Sequence, residues 1–203
     1  PAWGRRFPVV PKSSSRPIVE CTLVLADVQP KVWRRLLIPG GVRLDKLHRI
    51  LQAAMGWEDR HHHTFFIGGD RFGEPFDDGD GFDGEESEID EWGVTLAEVL
   101  GDHEQFAYEY DLGDGWLHDV TVHGVRQLAR GLKFAVCLDG ANACPPEDVG
   151  GPDGYEHLLA VLADPTHEEF GELSDWCDGP IDPTAFDLAA VNARLQAVST
   201  RQR

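Results

Sequence analysis

The stretch Tyr108-Glu-Tyr-Asp-Leu-Gly-Asp-Gly-Trp-Leu-His118 decides how the chain is read. Apolar and polar residues alternate on both sides of Asp114-Gly115, and Asp-Gly favours the positive φ angles of a tight hairpin turn. Two antiparallel strands are therefore predicted. Phe106, Tyr108 and Tyr110 share one face of the first, and Trp116, His118, Val120 and Val122 share one face of the second. Such a turn gathers an acid, an indole and an imidazole.

Working outward, Val19, Cys21, Leu23 and Leu25 alternate in a strand from Ile18 to Ala26, and Val32 to Ile38 forms another. Pro39-Gly40-Gly41 stops it. Leu44, Leu47, Ile50, Leu51 and Met55 fall on one face of a helix that Gly56 caps. Phe65 to Phe72 reads as a hairpin turning at Gly68-Gly69-Asp70. Thr95-Leu-Ala-Glu98 is a capping box opening a short helix through Leu100, and Lys133 to Leu138 supplies a further strand. After the turn-rich loop Ala143–Gly154, helices are expected at roughly 155–163, 166–176 and 183–198. Asp182 is the expected N-cap of the last and Pro183 its first helical residue. Strands first and helices last make this an α+β domain: a mostly antiparallel sheet, one helix packed early, and a helical C-terminal segment. Residues 1–17 read as a flexible basic arm, 18–198 as the domain and 199–203 as a tail. Residues 76–91, crowded with Asp, Glu and Gly, read as a solvated acidic loop. A calcium loop fails there, because taking Asp78 and Asp80 as the first two ligands puts Phe82 at the third.

Charge narrows the function classes. Lys and Arg total 18 against 36 Asp and Glu, a formal net charge of −18. Duplex DNA is bound largely through cations that neutralise phosphates, so direct DNA binding is disfavoured and a protein partner is expected. No apolar run is long enough to cross a bilayer, and no membrane association is expected. Cys21, Cys137, Cys144 and Cys177 contain no C-x-x-C pair. With no export signal visible, free thiols and a cytoplasmic location are the expectation.

Three blocks resemble one family, the plasmid pRiA4b ORF-three-like proteins, which include insertion-element passenger proteins labelled TnpR. The first runs Pro30-Lys-Val-Trp-Arg-Arg-Leu37 through Leu44-Asp-Lys-Leu-His48 and Gln52-Ala-Ala-Met-Gly-Trp57 to His61-His-His63-Thr-Phe65. The second is the Tyr108–His118 stretch. The third is Cys144-Pro-Pro-Glu-Asp-Val-Gly-Gly-Pro-Asp-Gly-Tyr155, with Phe186-Asp-Leu-Ala-Ala-Val-Asn192 beyond it. Arg43 departs from the pattern, standing where a Ser or Thr often precedes the first helical Leu. The resemblance implies an α+β fold and an association with mobile elements; it supplies no mechanism. A resolvase role rests on the TnpR label alone. Ser13, Ser14 and Ser15 lie in the arm, and no arginine cluster that could hold a scissile phosphate surrounds Ser87, Ser174 or Ser199.

Within these blocks, His61 and His63 are two apart, so an extended backbone points both the same way. His118 lies near Asp111, Asp114 and Trp116. Glu147 and Asp148 share the double-proline loop with Cys144. Imidazoles plus a carboxylate suit zinc, iron or manganese, and metal-activated water would hydrolyse a substrate. Each residue also has a structural reading. His118 can be a hydrogen-bonded core histidine, Asp111 and Asp114 can satisfy turn amides, and Glu147-Asp148 can cap the helix near Tyr155. Cys144 can be a nucleophile with His118 as base, or a plain buried thiol. In Trp33-Arg34-Arg35 the expectation is an inward Trp and acid-paired arginines, and Trp57 and Trp176 are expected as core or rim aromatics. Two functions follow. One is an acidic, non-catalytic accessory protein that binds another protein. The other is a metal-dependent hydrolase with His61, His63 and His118 as ligands and Glu147 or Asp114 as ligand or general base.

Overall fold

In the computed structural model, which describes residues 16–74, 88–128, 131–177 and 179–200, the alternation around Asp114-Gly115 becomes two central strands of one sheet. The strands are β1 (Arg16–Leu25), β2 (Trp33–Pro39), β3 (His63–Ile67), β4 (Asp70–Gly73), β5 (Ile89–Asp90), β6 (Gln105–Tyr110), β7 (Trp116–Leu128) and β8 (Val136–Ala141). They form an eight-stranded sheet in the order β5-β4-β3-β6-β7-β1-β2-β8. Every pairing is antiparallel except that of β4 with the two-residue β5. Helices α1 (Leu44–Met55), α2 (Leu96–Leu100), α3 (Gly151–Leu162), α4 (Phe170–Trp176) and α5 (Leu188–Thr200) complete the α+β domain. Most of the expected arm and acidic loop, and residues 201–203, lie outside the described residues.

Period-2 alternation does most of the sorting. Tyr108, Tyr110, Trp116, His118 and Val120 are buried on one face, whereas Leu117 and Asp119 between them are exposed. Leu44, Leu47, Ile50, Leu51 and Met55 turn the apolar side of α1 into the same core. Gly56 ends α1 at φ +114, its N–H donating to Gln52 O at 2.7 Å, a conformation costly for any residue with a Cβ. Two side chains satisfy further carbonyls of the last turn: Arg34 Nε donates to Ala54 O (3.1 Å) and Arg194 Nε to Ala53 O (2.9 Å). The capping box at Thr95 is present.

Several expectations need correction. Tyr110 pairs with Trp116, so the hairpin loop is Asp111–Gly115, closed by Gly115 N–H donating to Asp111 O at 2.6 Å. The positive φ angles fall on Asp111 and Gly115 rather than on Asp114-Gly115. The strand expected over 133–138 runs instead over Val136–Ala141. The first strand takes in Arg16 and Pro17, given above to the arm. The last helix begins at Leu188, where Asp187 Oδ1 accepts from Ala189 N–H and Ala190 N–H (2.8 and 3.0 Å). Asp182 caps only a local turn at Thr184, because Pro183 O is held by Ala143 N–H. In β2 the inward side chain is Arg34, which donates to the carbonyls of Trp33, Ala141 and Asn142 as well as Ala54; Arg35 lies on the opposite face and pairs with Glu20 at 2.5 Å. Finally, the described exit of the acidic segment is only partly solvated, with Ile89 and Asp90 exposed but the glutamates on either side engaged. Glu91 is 3% exposed and binds His63 Nε2 at 2.8 Å, and Glu88 accepts from Thr64 Oγ1 at 2.7 Å.

At the far edge of the sheet, one residue of β8 is met by a side chain. Asn192 of α5 accepts from Cys137 N–H and donates to Cys137 O, both at 3.0 Å. One carboxamide thus reproduces the two bonds that a ninth strand would make with β8 at that residue.

Candidate metal centre

Three segments meet where the hairpin loop touches the double-proline loop. Gly150 N–H donates to Asp114 Oδ2 at 3.1 Å. A Cβ on Gly151 would lie 2.3 Å from Asp114 O, so this contact requires glycine. Trp57 Nε1 donates to Pro145 O at 3.0 Å and ties the same loop to the end of α1. Asp111 N–H donates to His62 O at 2.9 Å and extends the ladder of β3 and β6 by one bond. These contacts leave His61, Asp111 and Asp148 facing one another.

His61 Nε2 lies 2.9 Å from Asp148 Oδ1 and 3.5 Å from Asp111 Oδ2. One ligand atom from each residue falls within 4.8 Å of the other two. Asp111 and Asp148 both hold left-handed backbone, φ +56 and +58, at non-glycine positions. The second oxygen of Asp111 accepts from Gly113 N–H and Asp114 N–H (3.0 and 3.3 Å), which orients the carboxylate. Glu147 stands beside the group. It accepts from Glu58 N–H at 2.8 Å and from Tyr110 O–H at 3.2 Å, and the Tyr110 ring is edge-on to His61 at 5.9 Å. Desolvation, reinforced by Glu147, pushes the Tyr110 phenol well above its ordinary range, so it is a proton-bearing donor to that carboxylate. Arg60 pairs with Glu58 and approaches Asp148 to 3.9 Å.

The structure does not gather the three imidazoles expected as ligands. Among the described residues His61, Asp111 and Asp148 form the group of three with metal-ligand spacing. His63 is turned to the buried Glu91, and its ring stacks on that of His48 at 3.6 Å and 6°. His48 bridges Asp59 (2.5 Å) and Tyr108 O–H (2.7 Å). Here the hydrogens can be placed. Asp59 N–H requires Gln52 Oε1 as acceptor, so Gln52 Nε2 donates to the Tyr108 oxygen; Tyr108 then donates to His48 Nδ1, and His48 Nε2 donates to Asp59. Burial lowers the pKa of His48, consistent with a neutral ring. His118 is fully buried behind Trp57, which meets it edge-on at 5.3 Å. Its Nδ1 donates to Tyr108 O at 3.1 Å, and burial lowers its pKa to about 4. It is a core histidine.

The other expected residues divide similarly. Trp116 is fully buried against Trp57, at 5.7 Å between rings. Asp114 docks the two loops through Gly150. Glu147 and Asp148 do not cap α3, whose N-cap is Gly150 with no side-chain bond. Cys144 shares no hydrogen bond with His118 among the described residues. Desolvation raises its thiol pKa well above the ordinary range, which keeps it protonated and a poor nucleophile. Trp57 belongs to the core and Trp176 to the rim. Sequence reasoning missed Glu91, His48, Asp59, Tyr110 and Arg60. The spacing of His48 on the apolar side of α1 was the one available signal.

A family model for plasmid pRiA4b ORF-3-like proteins matches residues 17–190, and the chain belongs to that family. It is 39% identical over 178 residues to the uncharacterized protein y4hQ of Sinorhizobium fredii (strain NBRC 101917 / NGR234), covering 86% of each chain. A crystal structure of MM3350 from Methanosarcina mazei Go1, a protein of unknown function, is similar with a TM-score of 0.75 and 30% identity. The match covers 86% of this chain and 97% of that one. No helix among the described residues is long and apolar enough to cross a membrane.

Proposed function

We propose that the junction of the two loops is a divalent-metal centre serving hydrolysis. His61 Nε2, Asp111 Oδ2 and Asp148 Oδ1 are the ligands, and Glu147 is the general base. The observation that carries this reading is the convergence of one imidazole and two carboxylates from three separate segments. One nitrogen and two carboxylate oxygens suit zinc, iron or manganese, and three protein ligands leave positions for water and substrate. A metal there would supply an activated water. Glu147, held by Glu58 N–H and Tyr110 O–H, is oriented beside the ligands to take a proton.

The test is metal analysis of tagless protein. Near-stoichiometric zinc, iron or manganese is expected, falling at least tenfold in occupancy in Asp111→Asn and His61→Gln but unchanged in His63→Gln. Metal retained by Asp111→Asn would defeat the assignment.

A second reading, the acidic accessory domain that binds another protein, is favoured by the net charge of −18 and by Trp92 and Trp176, which are 55% and 46% exposed. A role in a mobile element belongs here. Metal-free protein whose melting is indifferent to added divalent ions selects this reading over the first.

A further inference from the structure

We infer that the cleft between α1 and α5 binds an organic anion carried on an apolar body. This goes beyond the metal centre, does not depend on it, and rests on a count of committed groups. The cleft encloses about 590 Å³, within the range of small-molecule sites. Ala53, Trp57 and Val198 supply apolar walls, and Arg49 and Arg194 line the same hollow.

Each polar neighbour is already engaged. Gln52 is committed at both ends of its amide, to Tyr108 and to Asp59 N–H. Asp59 accepts from His48, and Glu58 pairs with Arg60. The arginines are not used up. Arg194 places Nε on Ala53 O, which fixes the guanidinium plane, yet it makes no ion pair among the described residues. Arg49 has one long contact, Nε to Asp59 at 3.9 Å. The lining holds two arginines and two carboxylates, and with Glu58 also paired to Arg60 outside the cleft, Arg49 and Arg194 keep N–H donors that no short ion pair among the described residues takes up. A planar guanidinium matches a carboxylate, phosphate or sulfonate through paired N–H donors. The apolar walls select what carries that group.

The probes are 8-anilinonaphthalene-1-sulfonate and its uncharged parent, N-phenyl-1-naphthylamine, titrated by fluorescence against the full chain. We expect one saturable sulfonate site, bound about tenfold or more tighter than the neutral probe. That preference is expected to vanish in Arg194→Gln, to weaken in Arg49→Gln, and to persist in Arg43→Gln, which lies outside the cleft. Arg49→Gln removes no helix-capping bond and decides the matter should Arg194→Gln fail to fold. Equal binding of the two probes by the unmodified chain, or a preference that survives both substitutions, overturns the inference.

Discussion

Asp111 and Asp148 hold backbone conformations in which an L-residue costs about 1 kcal/mol, less for Asp than for most. Asp148 is exposed and has little packing to lose. Asp148→Gly is therefore expected to leave stability unchanged or raise it by up to about 1 kcal/mol, while affinity at the proposed metal site falls at least tenfold. Paired urea melts and metal titrations check this. A loss of stability with metal binding retained would make Asp148 structural. His118 provides a pH test. Its pKa drops from an ordinary 6.5 to about 4 in the folded chain, because burial disfavours the imidazolium. Between pH 6.5 and 4 the unfolded chain holds a proton there that the folded chain refuses. Stability is thus complete above about pH 6.5 and lost as the pH falls towards 4, by roughly 3 kcal/mol at most. The urea midpoint of the parent should fall across this window, and the fall should be shallower in His118→Leu. Equal slopes would contradict the assignment.

Elements show where reading a sequence reaches and where it stops. Alternation in Tyr108–His118, the apolar stripe of α1, its Gly56 terminus and the Thr95 capping box are local patterns, and local physics decides them. The turn between β6 and β7 is not a local matter. Asp111 N–H is drawn to His62 O and Asp114 is engaged by Gly150, so the loop opens to five residues although Asp-Gly alone favours two. The start of α5 went the same way. Asp182-Pro183 carries good start signals, but Ala143 N–H holds Pro183 O, and Asp187 takes the role. His61, Asp111 and Asp148 were each named from sequence, yet their grouping depends on contacts between segments dozens of residues apart. His63 and His118 were indistinguishable from them until Glu91 and the core claimed them. Gly151 carries the central contact, with φ +71 and no room for a Cβ. Gly151→Ala is expected to cost about 2–4 kcal/mol and to disrupt the proposed metal centre by separating the loops. A melt within 1 kcal/mol of the parent would show that the loops dock by other means.

At the scale of the whole molecule, an eight-stranded open sheet has two margins, and the chain treats them differently. β5 contributes only two residues at one end. At the other, β8 is met by Asn192. Asn192→Ala leaves the N–H and C=O of Cys137 without those partners, at an expected cost of about 1–2 kcal/mol. Light scattering should then show concentration-dependent assembly beyond that of the parent; scattering identical to the parent would mean the margin is protected in another way. The helix that carries Asn192 comes last in the described chain. A fragment that stops short of α5 would therefore not be a trimmed version of the same fold. Its final strand would be left adhesive, ready to recruit the matching strand of a second molecule.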